Sequence, residues 1–144
     1  NIQIGRDKLQ LQSVKVKSIL RKDFIRVAPE HTVEKIINIP AQERTSEGYL
    51  INPKGVLIGK IELPEILLLE NKNIPPKIEI YNKFLFLNEN NSVLEAIDII
   101  KDFVGESIPI VDQNKCIIGV ITESDLFNQL LIAEKIRNKE ELSD

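Results

Sequence analysis

The feature that most constrains this chain is that from Phe24 onward it says nearly the same thing twice. Under a shift of 60 residues Phe24 lands on Phe84, Ile25 on Leu85 and Val27 on Leu87. Thr32-Val33 lands on Ser92-Val93, and Ile37 and Ile39 land on Ile97 and Ile99. Leu50-Ile51-Asn52 falls on Ile110-Val111-Asp112, Leu57-Ile58-Gly59 on Ile117-Ile118-Gly119, and Ile61 on Ile121. The offset never changes, so loop lengths are kept along with apolar positions, the mark of a structural repeat. Each copy reads strand, helix, strand, turn, strand, helix. The first predicts a strand at 24–27, a helix over 32–39, a hairpin over 48–61 turning at Asn52-Pro53-Lys54-Gly55, and a helix over 63–70. The second predicts a strand at 84–87, a helix over 93–103, a hairpin over 108–121 and a helix from Glu123 to about Glu140. Asn73-Ile74-Pro75-Pro76 continues neither helix nor sheet. The expected organisation is therefore a lead-in at 1–13 with no clear period, a first copy at 14–70, a linker at 71–76, a second copy at 77–133 and a tail at 134–144. Neither copy can bury its apolar strands alone. Face to face they predict one α/β body with an internal pseudo-two-fold and two clefts lined by strand ends and helix starts.

The second copy ends its hairpin in Gly119-Val120-Ile121-Thr122-Glu123-Ser124-Asp125-Leu126. A strand stops and a helix starts there, and the free amides of a helix N-terminus attract anions. The plain reading of Thr122-x-x-Asp125 is that it caps its own helix. Ser92-Val93-Leu94-Glu95 is a better capping box elsewhere in the chain.

Composition narrows the function classes. A net charge of −3 argues against a nucleic-acid groove. No apolar run approaches the roughly 18 to 20 residues of a membrane span. The single cysteine, Cys116, excludes an internal disulfide and reads as a structural thiol in an apolar strand. One His with one Cys builds no common zinc site. His31 reads as an exposed residue before a helix. The acidic pairs Glu43 with Glu47 and Glu62 with Glu65 read as surface, and Lys15, Lys17, Arg21 and Lys22 as a solvated face. No residue spacing suggests nucleophilic catalysis, and Gly59 and Gly119 are isolated, so the expectation is no enzyme. A first residue of Asn1 suggests a piece of a longer protein.

Two copies with hydrophobic hairpins, the second ending in Gly-x-x-Thr-x-x-Asp and carrying Ser107-Ile108-Pro109-Ile110-Val111-Asp112, resemble a tandem pair of cystathionine-β-synthase (CBS) domains, the Bateman module, over about residues 14–133. The resemblance implies two β-α-β-β-α repeats in an α/β module, a regulatory role, and an adenine nucleotide (ATP, ADP or AMP) in the cleft as regulatory ligand. It implies that Asp125 accepts the ribose hydroxyls and Thr122 meets ribose or phosphate. The base would lie on Thr45, Ser46 and Glu47 of the other copy, with Leu20 to Ile25 walling the pocket. The first copy departs from the pattern: Glu62 and Glu65 stand at the motif positions, and Tyr49 stands where the second has Pro109. One competent site at most is expected, because two carboxylates repel a polyphosphate. The resemblance also implies a homodimer. The run Ile4-Gly5-Arg6-Asp7-Lys8-Leu9 into Val16-Lys17-Ser18-Ile19-Leu20, with Gly59-Lys60-Ile61-Glu62-Leu63, is similar to the membrane-proximal part of chloride-channel-type (CLC-type) transporters. That implies a host with an upstream membrane domain and a place at the cytoplasmic face. Other metal-ion transporters carry the same module. The alternative from another class is a module that binds no ligand and serves to dimerise its host. Ile66, Leu67, Leu69, Phe127, Leu130 and Leu131 could supply that interface, although a core would use them equally.

Overall fold

The structure is a computed structural model that describes residues 4–39, 46–76, 84–103 and 105–143. Its elements in order are α1 (Ile4–Ser13), a 3-10 turn (Val16–Ser18), β1 (Ile25–Val27), α2 (Val33–Ile37), β2 (Glu47–Ile51), β3 (Leu57–Glu62), α3 (Leu63–Leu67), β4 (Leu87–Asn88), α4 (Val93–Ile99), β5 (Ile108–Val111), β6 (Ile117–Ile121) and α5 (Glu123–Ser143). Helices end earlier than their apolar spacing predicts, except α5, which runs past Glu140. Residues 84–86 lie outside the two-residue strand β4.

The repeat holds at the level of individual registers. In each copy the first strand lies parallel to the second, which pairs antiparallel with the third. Val27 opposes Leu50 as Leu87 opposes Ile110. Tyr49 opposes Lys60 as Pro109 opposes Val120, and both hairpins slip register at the same place, after Leu50 and after Ile110. The turns are built alike: the Asn52 carboxamide oxygen accepts the amides of Lys54 and Val56, and the Asp112 carboxylate accepts those of Asn114 and Cys116. At the left-handed turn position Gly55 has φ +87° and its counterpart Lys115 has φ +62°.

Three apolar clusters follow. One belongs to the first copy (Val27, Val33, Ile36, Leu50, Ile61, Ile66) and one to the second (Leu87, Val93, Ile108, Ile110, Ile121, Leu126). The third, of Tyr49, Leu57, Val111, Ile117 and Val120, joins the copies. On its edge the Leu57 amide donates to the Lys115 carbonyl and the Ile117 amide to the Gly55 carbonyl, a reciprocal pair about a Val56–Cys116 bridge.

The segment preceding each copy packs on the other copy. The Val93 amide donates to the Val14 carbonyl at 2.8 Å, and the Val33 amide donates to the Ile74 carbonyl at 3.0 Å. The two bonds are again 60 residues apart at both ends. Val16 is fully buried with the second copy's core, and its amide reaches the Asn91 carbonyl at 2.9 Å.

Within the stretch read as a lead-in without a clear period, the described residues form a helix. Ile4–Ser13 is helical and packs on α4 and α5. Its anchor is Leu11, 4% exposed, while Leu9 is 68% exposed. Among residues 8–13, whose burial is described, Leu11 is the buried one, so tertiary contact rather than a readable apolar stripe marks this part of the helix. The terminal-helix residues divide: Ile66 and Leu69 serve the first core, whereas Leu67, Phe127, Leu130 and Leu131 are exposed. Among the described residues no helix is long and apolar enough to cross a membrane.

Candidate functional site

The strand β6 carries Gly119 against the chain that enters the first copy. A side chain at Gly119 would place Cβ 2.6 Å from the Leu20 side chain and 2.7 Å from the Arg21 carbonyl oxygen. That closeness lets the Arg21 and Val120 backbones bond each other twice, Arg21 amide to Val120 carbonyl at 2.7 Å and the reverse at 2.8 Å. Two residues on, the strand ends and α5 begins, so residues from both ends of the chain meet at a helix N-terminus.

There the capping reading holds in full. The Asp125 amide donates to Thr122 Oγ1 at 3.1 Å, and the Thr122 amide donates to Asp125 Oδ2 at 2.9 Å. A second partner sits on the same carboxylate. Arg21 Nη2 lies 2.6 Å from Asp125 Oδ1, and its Nε lies 3.1 and 3.0 Å from Oδ1 and Oδ2. Arg21, read as part of a solvated basic face, is thus also paired with Asp125. Its side chain is 53% exposed against 11% for Asp125, so the ion pair closes over a sheltered carboxylate. Partial burial would raise the Asp125 carboxyl, but the Arg21 guanidinium and the Thr122 amide outweigh it and hold the group below its ordinary value.

A second polar cluster joins the strand starts of the two copies. Glu47 is buried at 4% exposure, which corrects its reading as surface. Its carboxylate accepts the amides of Glu106 and Ser107 at 3.1 and 3.0 Å and lies 3.1 Å from Lys60 Nζ. In the opposite sense, the Glu106 carboxylate accepts the amide and hydroxyl of Ser46 at 2.7 and 2.6 Å. Each copy thus grips the start of the other's central strand with a carboxylate. Lys60 Nζ also reaches the Ser107 carbonyl at 3.2 Å and sits over the Phe103 ring. The Tyr49 hydroxyl bonds Ser107 Oγ at 2.6 Å, and burial pushes its acidity well below the ordinary. Gly105 has no room for a side chain, whose Cβ would lie 2.7 Å from Phe103 and 3.0 Å from both Glu47 and Lys60.

Of the residues expected at the site, Thr122, Asp125 and Leu20 come together. Ile25 is buried with the first copy's core, on β1. Ser46 and Glu47 form the cross-copy clasp with their polar groups engaged, and Thr45 lies outside the described residues, as does Glu43. The first copy's Glu62 and Glu65 are exposed, and Glu62 makes no side-chain cap to α3. His31 is half-buried, its Nδ1 accepting the Ala28 amide, instead of exposed. Sequence reasoning placed Arg21 only within the pocket wall of Leu20 to Ile25 and missed its pairing with Asp125. It missed the Lys60–Glu47 pair and the Ser46–Glu106 bonds too. The available signal was that Tyr49, Lys60 and Glu106 are places where the two copies differ in chemical type.

This geometry of two interlocked copies is that of a CBS-domain pair, and residues 78–132 match the family model of the CBS domain. Over 83% of this chain and 98% of the other, it superposes on a CBS domain pair/ACT domain protein of Thermotoga maritima with a TM-score of 0.71 at 20% identity. It covers 48% of the cytosolic domain of the Mg2+ channel MgtE, solved with ATP, which matches 81% of this chain with a TM-score of 0.70 at 20% identity. In sequence it is 26% identical over 140 residues to inosine-5'-monophosphate dehydrogenase of Methanocaldococcus jannaschii, 96% of this chain but 28% of that enzyme's length.

Proposed function

We propose that this chain is a regulatory module that senses an adenine nucleotide on behalf of a larger protein, with a single site at the Thr122–Asp125 end of α5. The observation that carries the reading is the convergence of a helix N-terminus, a hydroxyl, a sheltered carboxylate and a guanidinium where the copies cross. Carboxylate suits a ribose diol, whereas amides and guanidinium suit phosphate. The first-copy counterpart carries Glu62 and Glu65 at the motif positions, and two carboxylates disfavour a polyphosphate, which favours one site. The ATP in the MgtE domain supports the ligand class. For the host we propose an ion transporter, with this module on the cytoplasmic side. The named structural neighbour handles Mg2+, which favours a metal-ion host over the chloride-channel type that the first residues resemble. The module adds no chemistry of its own.

A second reading, a ligand-free interaction module, has an observation in its favour: Asp125 is already paired and Glu47 already bonded. Calorimetric titration with ATP, ADP and AMP separates the two. For a dissociation constant of about 10 μM, ligand at about 1 mM adds roughly 2.7 kcal/mol, a melting shift on the order of 5–10 °C for a domain of this size. Asp125→Ala should remove most of that shift and Glu65→Ala should leave it intact. A flat titration of the unaltered chain with all three nucleotides eliminates sensing and leaves the interaction module.

A further inference from the structure

We propose a further binding site, sharing no residue with the Thr122–Asp125 end, in which the seam between the copies takes a small aromatic carboxylate. A cavity of about 100 Å³ opens there, lined by Leu57 from the first copy and by Phe84, Phe86, Val111 and Lys115 from the second. Leu57 and Val111 are buried in the cluster that joins the copies, while Phe86 is 40% exposed, so an apolar floor lies under a mouth open to solvent. The Phe84 and Phe86 rings stand 6.3 Å apart with their planes tilted by 56°. A cavity of this order, walled by aromatic and branched side chains, suits one ring of about the size of benzene. Lys115 supplies the charge. Its ammonium makes no hydrogen bond or ion pair among the described residues, whereas its carbonyl is held by the Leu57 amide at 3.0 Å. One cation beside an apolar slot fixes the orientation of a ligand with an acid at one end.

The repeat shows what is particular to this place. Sixty positions away the same wall reads Phe24, Arg26, Ile51 and Gly55, with Ile117 for Leu57. There the Arg26 guanidinium stacks on its own copy's ring, 4.2 Å from the Phe24 centroid. The second copy has Phe86 in the place of that cation. It brings a cation from the turn instead, where Gly55 is replaced by Lys115 at a left-handed φ of +62°. A lysine where glycine carries less backbone strain points to a role for its side chain.

The test is an NMR titration of the whole chain with benzoate and with benzamide, its uncharged match in shape. Benzoate should shift the Phe84 and Phe86 ring signals with a dissociation constant of about 1 mM or below, and benzamide should bind about threefold to tenfold more weakly. Lys115→Asn removes the charge with a residue at home in the left-handed region, and should bring the two ligands within about twofold of each other. Phe86→Ala should weaken both by about fivefold or more, with thermal melting to check that the fold survives. No movement of those ring signals at about 20 mM benzoate overturns the site. Equal binding of both ligands by the parent, a benzoate preference that survives Lys115→Asn, or undiminished binding by a folded Phe86→Ala protein overturns it as well.

Discussion

Lys60 Nζ lies 3.1 Å from the Glu47 carboxylate, with the two side chains 9% and 4% exposed. A charge this sheltered is tolerated only with its counter-charge and hydrogen bonds in place. Glu47 has the Glu106 and Ser107 amides besides Lys60, so Glu47→Gln strips the cation of its partner and weakens the grip on the second copy. We expect a loss of about 3 kcal/mol in urea unfolding. Adding Lys60→Met to it should recover a substantial part of that loss. An additive double variant would show that the pair does not act as a unit.

The two turns offer an internal control. Lys115 holds the left-handed backbone that Gly55 holds in the first copy, at φ +62° and +87°. A side chain costs about 1 kcal/mol in that conformation. Lys115→Gly is expected to raise the unfolding free energy by that amount, and Gly55→Ala to lower it similarly. Opposite signs at equivalent positions are the outcome to look for.

The Asp125 carboxyl titrates below its ordinary value of 3.8 because Arg21 and Thr122 favour its ionised form. A group lowered on folding adds stability above its unfolded value and loses it as pH falls through its folded value. Asp125→Asn should therefore cost about 1 kcal/mol near neutrality, and the gap from parent should close below about pH 4. A gap constant from pH 7 to pH 2 would assign the effect to packing.

Leu67, Leu68 and Phe127 are 53%, 84% and 58% exposed, large apolar surface for a chain of this size. A homodimer covering part of it is the expected solution state. Light scattering at tens of micromolar should return about twice the 16.4 kDa chain mass. Phe127→Glu should shift it toward the monomer without lowering the melting temperature by more than a degree or two.

Much of the architecture was legible because it is written twice. Periodicity at a constant offset exposes the order of elements and the turn chemistry, since each copy checks the other. What the repeat could not expose are contacts made where the copies differ. Arg21, Lys60 and Glu106 have no like-charged counterparts at Tyr81, Val120 and Ser46. Their partners lie far off along the chain, and no local spacing encodes them. Helix α1 escaped for a related reason, since it packs on α4 and α5, elements far off along the chain. The Thr122–Asp125 motif was legible as a cap, and the placement of Arg21 adds to it an ion pair that no local spacing encodes.

The exchange of leading segments between the copies bears on how the chain comes off the ribosome. Val14 and Arg21 emerge long before their partners Val93 and Asp125, with 104 residues separating Arg21 from Asp125. At about 5–20 residues per second the early segment waits roughly 5–20 seconds for its docking surface. The first copy meanwhile lacks the Ile74 carbonyl that receives Val33 until the linker is out. Nascent chains cut at Pro76 should then remain protease-sensitive, and the whole should order in one late step once β6 and α5 have been made.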